Sequence, residues 1–434
     1  MSDHLLCGAG KARITPEERL LPDLFGLAGA KFDKIHDDLY VRAVCFACGG
    51  ARAIIVAFDL DKAPYPVEWV EEVSALTGIP TEAVFFLGIH AHTVPVTGWR
   101  PFEGRNFIEN KPPEVRAAVR EYEASVLEAL KAAAGEAVNS LRPAKLGYGR
   151  GACYINTNRC QRYHLREAGG VREEIALGVN GQGPVDRTLF VLRAEEAETG
   201  APIAFLTNYA VHGVAFFLND SGEGKSFISG DIGGLTNQNL ERAFPGAVSL
   251  WTSAAAGDIN PVSMTQTFYP DPVTGGPVEY SFKSADGSEA ILRSMAYRHF
   301  DDVLAALRKA ECTIDSAPVS AAIQWARVPG RDGGRDCEIR LHLIRVGPLA
   351  FIGVDGELFT TLGWAIQDAS PVPDTVVMNH EGSLLLSNPG YILDDATMEA
   401  CRRCGGGRLP GERFYAVPGA MEAELRSCTK RLFQ

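Results

Sequence analysis

The chain has 434 residues, 46% of them hydrophobic and 22% charged, with a formal net charge of −12. That balance is ordinary for a globular protein and argues against nucleic acid or an anionic membrane as the main partner. No apolar run reaches the roughly 18 residues of a membrane span, and the opening MSDHLLCGAGKARITPEER is too interrupted for a secretory signal, so a cytoplasmic location with ten reduced cysteines is expected.

In chain order, DDLYVRAVCFA and ARAIIVAFDL flank Gly49-Gly50 and read as a β-hairpin. PVEWVEEVSALTG is an amphipathic helix closed by glycine, and EAVFFLGIHAH is a buried strand. A long helix opened by proline follows in PPEVRAAVREYEASVLEALKAAAGEA, then strands in AKLGYGRG, RTLFVLRAEE and APIAFLTNYAVH. GGLTNQNLERAF is a helix, AVSLWTSAA a strand, and residues 288–310 another long helix. The last third holds strands VSAAIQWARV, DCEIRLHLIRVG and LAFIGVDG, then a helix from ELFTTLGWAIQDA. Hairpins mixed with crossovers predict an α/β fold with a mixed β-sheet core flanked by helices. With no repeat and no linker, residues 1–434 are expected to be a single catalytic domain. Residues 93–113 and 264–282 lack a regular pattern and carry aromatics; loops of that length are often functional, so both are expected to wall a substrate pocket.

Histidine is scarce, 9 residues in all, yet His90 and His92 stand one residue apart in GIHAHTVP. On a strand, positions i and i+2 face the same side. The pair therefore reads as a metal site, an acid/base pair, or two polar residues ending a strand. Other ionisable groups recur where strands give way to loops: His212 in LTNYAVHGVAF, Asp231 in FISGDIGG, Asp258 with Asn260 in AAAGDINP, and Asp355 with Glu357 in LAFIGVDGELFTTLG. Such exits are where α/β proteins assemble sites, although a helix N-cap or first-turn role suits Asp231 and Glu357 equally. Two C-x-x-C pairs, Cys45/Cys48 and Cys401/Cys404, would together suit a four-sulfur zinc site. A spacing of three on a strand points Cys45 and Cys48 to opposite faces, so small buried residues are expected there instead.

The order of these motifs resembles the neutral ceramidases, zinc-dependent amidases with a wider set of bacterial relatives. The likeness starts at GAGKARITP and HDDLYVRA…IIVAFDL and runs through GIHAHTVP, where ceramidases carry His-Thr-His-Ser-Gly-Pro. NTNRC looks like the family's Asn-Arg segment, and NYAVHGVAF…ISGD like its second histidine block. GDINP stands at the Gly-Asp-Val-Ser-Pro position and GELFTTLG at the Gly-Glu-Phe-Thr-Thr segment. The resemblance implies one zinc ion per chain held by His90, His212, Glu357 and Tyr391, the last from SNPGYILDD. It further implies His92 as the general acid/base and Arg159 as the group that stabilises an oxyanion or holds a substrate carboxylate.

The departures shift the expected substrate. The family's active-site serine is Asn260 here, which cannot be that nucleophile but can position substrate or water. A tyrosine expected about twelve residues beyond the tyrosine ligand is replaced by ACRRCGGG, with Arg402 and Arg403; Tyr415 is a candidate substitute. No immunoglobulin-like domain of the kind secreted ceramidases carry is expected after Gln434. The expected activity is therefore zinc-dependent hydrolysis of an amide in a small polar molecule other than ceramide. Alternatives are an esterase or lactonase on the same site, a non-catalytic metal-binding relative, or a second metal near Asp38, Asp59 or Asp231. The implied partner is a small-molecule substrate.

Overall fold

The computed structural model describes residues 4–97, 108–221, 224–382, 390–404, 409 and 416–434. It is a mixed α/β fold built on two main sheets. The larger has eight strands in the order Val248–Ser253, Pro202–Tyr209, Thr188–Glu196, Arg142–Ala152, Leu6–Arg13, Tyr40–Cys48, Ala51–Phe58, Val84–Gly88. Its two outermost pairs are parallel and the inner ones antiparallel. The predicted first hairpin is present, with Cys48 opposite Ala51 across Gly49 and Gly50. Those two residues have φ of 59° and 93°, values that a two-residue hairpin turn requires and side chains resist.

The second sheet has the order Val319–Val328, Cys337–Val346, Leu349–Val354, Asp374–Met378, and its last pair is parallel. The helix Thr360–Ala369 makes that crossover. The predicted helices appear at Pro66–Thr77, Pro113–Asn139, Asp231–Ala243 and Ala285–Leu307. The strands of the larger sheet bury nearly continuous apolar runs such as Ile54, Ile55 and Val56, as sheets covered on both faces do.

One face of the second sheet packs on the core of the larger one, and the contacts at the end of its last strand position the site. Leu87, on the last strand of the large sheet, bridges to Glu381, just past the last strand of the small one. The Gly382 N–H donates to Phe86 O at 2.8 Å, and the Asn379 N–H to Ser253 O at 2.8 Å. Three strand exits thereby converge: the one after Gly88, the one after Ser253 and the one after Met378.

Three expectations are corrected and one element is added. The strand leading to the histidine pair stops at Gly88, and His90 takes φ of 61°, so the pair lies on a turn and not on a strand. The helix after Glu357 begins only at Thr360, while Glu357–Leu358 is a short strand parallel to Tyr391–Ile392, which removes the helix-cap reading of Glu357. Residues 264–282 are not irregular: Gln266–Pro270 and Pro277–Ser281 form an antiparallel hairpin whose second strand is exposed throughout. Asn156–Glu167 and Gly170–Asn180 form a long hairpin that the sequence pattern did not reveal, because its outer half carries polar residues on both faces. Of residues 93–113, positions 98–107 lie outside the described residues, as does Tyr415.

Candidate metal centre

His90 follows the strand Val84–Gly88, and its backbone N–H is held by Leu60 O at 3.0 Å. Its Nδ1 lies 2.8 Å from the Asp61 carboxylate. That contact fixes a proton on Nδ1 and turns Nε2, the nitrogen left for a ligand, toward the other side chains of the cluster. His212, two residues past Ala210, is fixed the same way: Nδ1 donates to Ala256 O at 2.8 Å and to Ile259 O at 3.0 Å. The two Nε2 atoms each stand 3.2 Å from the same oxygen, Glu357 Oε2. Tyr391 is brought to Glu357 by the parallel pairing of their short strands, and its hydroxyl is 3.4 Å from His212 Nε2.

Three buried acceptors facing one another repel unless a proton or a cation lies among them. Glu357 Oε2 is buried with two imidazole nitrogens 3.2 Å away. Ligands at about 2.0–2.1 Å from a tetrahedral ion are separated by about 3.3 Å, which matches the 3.2–3.4 Å spacing here. Two imidazoles, a carboxylate and a phenol are a donor set that suits zinc. The residues therefore fit the ion.

His92 lies in the same cluster, Nε2 to Nε2 at 3.1 Å from His90, and distance alone does not separate it from the others. Anchoring does: no carbonyl or carboxylate among the described residues fixes its Nδ1, and the ring is half-buried against Phe217. An imidazole with one face open and no fixed tautomer is better suited to moving protons than to holding an ion.

The electrostatics follow from burial and two carboxylates. Burial opposes charge on His90, but Glu357 and Asp61 outweigh it and lift its pKa to about 9. Burial, helped by the Arg159 charge, drops His212 to about 3. Burial opposes the ionised form of Glu357, yet His90 and His212 keep it well below the usual carboxylate range. His92 is pushed well down by burial and by His90.

Arg159 sits in the buried half of the strand Asn156–Glu167, over the Tyr391 ring at 5.4 Å. Its Nε and Nη2 donate to Gly257 O at 3.1 and 2.7 Å, and Nη1 donates to Asn260 Oδ1 at 3.2 Å. Asn260 thus holds the guanidinium and does not face the histidines directly. Asp258 is a brace, accepting from the Thr360 N–H and Oγ1 at 2.8 Å each and from Asn158 Nδ2 at 2.8 Å.

The second-metal candidates do not converge. Asp38 binds Arg13 at 2.7 Å, Asp59 binds Arg42 at 2.7 Å, and Asp231 accepts from the Phe216 N–H at 2.9 Å. Among the described residues, no cysteine belongs to a group able to hold a metal, so the C-x-x-C zinc alternative drops away. Arg402 pairs with Glu399, and Arg403 lines a separate cavity with Arg162 and Arg172.

Two residues were missed by sequence reasoning. Asp61, which orients His90, and His380, whose ring stacks on His90 at 3.9 Å and 14°, both sit just past a strand end. The strand-exit pattern that marked His212 applied equally to DTVVMNHE. Among the described residues, no helix is long and apolar enough to cross a membrane.

No protein-family model matches the chain, and no curated protein does. Solved structures do. A neutral ceramidase from Pseudomonas aeruginosa superposes with a TM-score of 0.71 at 15% sequence identity, covering 99% of this chain and 74% of that one. A ceramidase complexed with C2 gives a TM-score of 0.69 at 14% identity, with the same coverage. Over almost its whole length, at an identity too low for sequence comparison to register, the chain has the neutral ceramidase fold.

Proposed function

We propose that the protein is a zinc-dependent hydrolase that cleaves an amide bond in a small polar substrate. The observation that carries this reading is the meeting of His90 Nε2 and His212 Nε2 on Glu357 Oε2, each imidazole locked in the ligating tautomer from behind. The ceramidase neighbours support a hydrolase, and the departures at Asn260 and at Arg402–Arg403 argue for a substrate other than ceramide. The scattered cysteine spacing favours the cytoplasm.

His90, His212, Glu357 and Tyr391 would hold the ion. Bound zinc supplies a water acidic enough to attack at neutral pH and a Lewis acid for the carbonyl. His92 takes the proton from the attacking water at Nε2 and returns it to the leaving nitrogen. Its depressed pKa keeps it an acceptor at neutral pH. Beyond its bonds to Gly257 and Asn260, the Arg159 guanidinium also bonds Tyr391, and an N–H left over from these donates to the developing oxyanion. Burial disfavours the Arg159 charge, but Tyr391 and Glu357 outweigh it, so the guanidinium stays ionised.

The test is chelation and reconstitution of the full chain, followed by spectrophotometric assay on paired amide and ester analogues. Activity should vanish with chelator, return at one equivalent of zinc, and fall sharply in His92→Ala without loss of zinc. Ester cleavage alone would move the assignment to an esterase. Two equivalents of metal, or full activity in the chelated protein, would overturn the single-zinc reading.

A further inference from the structure

Glu357 uses only one carboxylate oxygen toward His90 and His212. The other, Oε1, faces the Lys62 ammonium at 3.9 Å, too long for a hydrogen bond. Lys62 lies in the turn just after Asp61 with its side chain 36% exposed, so its N–H donors are open to a ligand. His380, which like Lys62 lies against Glu357, is 3% exposed, with both ring nitrogens buried and without any hydrogen-bond partner. A buried imidazole with two orphaned nitrogens is costly unless something else bonds to them.

The zinc ion is a poor candidate for that something. An imidazole nitrogen binds along a lone pair in the plane of its ring. His380 and His90 lie nearly parallel, 14° apart with centroids 3.9 Å apart, so their lone pairs run side by side and do not meet at one ion. By contrast, His90 is inclined to His212 by 74°, which lets both aim at a common point. Yet a His380 nitrogen stands within 4.8 Å of the ligating atoms of both His90 and Glu357. It therefore lies against the cluster without sharing its point of convergence.

We propose that Lys62 and His380 form a subsite for a carboxylate carried by the substrate close to its scissile amide, which makes the substrate class N-acyl α-amino acids. One ammonium and one imidazole N–H offer two donor directions, which suit an anion with two oxygens. A carboxylate reaching both groups lies within about 5 Å of a carbonyl held at the metal centre, a gap that two or three covalent bonds fill. In an N-acyl α-amino acid the carboxylate is three bonds from the acyl carbon. The inference rests on the hydrolase reading for its choice of bond, but the subsite can be tested apart from it.

The test uses the full chain, metal-free and zinc-loaded, with N-acetylglycine and N-acetylglycinamide as probes. Calorimetry on the metal-free protein should show the carboxylate probe binding roughly tenfold or more tightly than the amide. Lys62→Met should abolish that difference and Lys62→Arg should keep it. His380→Phe, which preserves the stack on His90, should reduce the difference to within about threefold, whereas His380→Asn, with one donor and one acceptor, should retain most of it. Equal binding of the two probes, no measurable binding of either in the millimolar range, or a preference that survives Lys62→Met overturns the subsite. Carboxylate preference without cleavage by the zinc-loaded protein sinks the hydrolase reading and leaves the subsite standing. Cleavage without preference does the reverse.

Discussion

Zinc uptake by this chain should release a proton, and the structure says which one. In the metal-free fold His90 is held protonated up to about 9 by Glu357 and Asp61, against the effect of burial. His212, at about 3, is already neutral and contributes no proton near neutral pH. Glu357 is already ionised. A cation that takes His90 Nε2 must therefore expel one proton, and each pH unit below about 9 weakens apparent affinity about tenfold. At pH 7 the loss is about a hundredfold, or about 2.7 kcal/mol, relative to the alkaline plateau. The sign for folding follows from the same group. A raised histidine stabilises the metal-free fold below its ordinary 6.5, and that stability fades as pH climbs through about 9. The stabilising effect of zinc should therefore grow over that window. Calorimetry of zinc binding at about pH 6, 7 and 8, in buffers of differing ionisation enthalpy, counts the protons directly. About one should appear at pH 7, and log K should rise by about one per pH unit. Glu357→Gln removes the larger of the two carboxylate effects, so affinity and proton count should both fall. A second released proton that disappears in Tyr391→Phe would identify the phenolate as a ligand. A count near zero in the unmodified chain would refute both the His90 charge state and its place on the ion.

Two further outcomes follow from contacts around the centre. A Cβ on Gly257 would stand 2.4 Å from Glu357 O and 2.8 Å from the Phe359 ring, so Gly257→Ala must displace the Glu357 strand. Zinc affinity, measured against a chromophoric chelator, should fall by about tenfold or more, and unchanged affinity would show that this contact does not set Glu357. Arg159→Met should lower kcat by about 10²–10³ with little change in KM, while Asn260→Ala, which removes one of several bonds to the guanidinium, should cost roughly three- to tenfold. Complete loss of activity in Asn260→Ala would give that side chain a direct part in the chemistry.

The apolar runs decided most of the fold from the sequence. Stretches such as ARAIIVAFDL and VFFLG have no polar alternative to burial, and the glycines at 49–50 and 78 end elements where the pattern says they should. The hairpin at Asn156–Glu167 and Gly170–Asn180 was not legible, since an element exposed on much of both faces carries no hydrophobic period. The resemblance of the motif order to the neutral ceramidases is what joined His90, His92, His212, Glu357 and Tyr391 into one expected site, and the fold brings those five side chains together.

Their arrangement was a tertiary matter. His90 and His92 approach each other through a turn at positive φ, not through strand alternation. His212 and Glu357 lie 145 positions apart in sequence and meet only because the two sheets pack together. That joint also brings in Asp61 and His380. It makes Asn260 a support for Arg159 and turns Asp38, Asp59 and Asp231 away to other partners. Periodicity records which face of an element is buried; which buried polar groups then share one space depends on how the elements pack, and no single element encodes that.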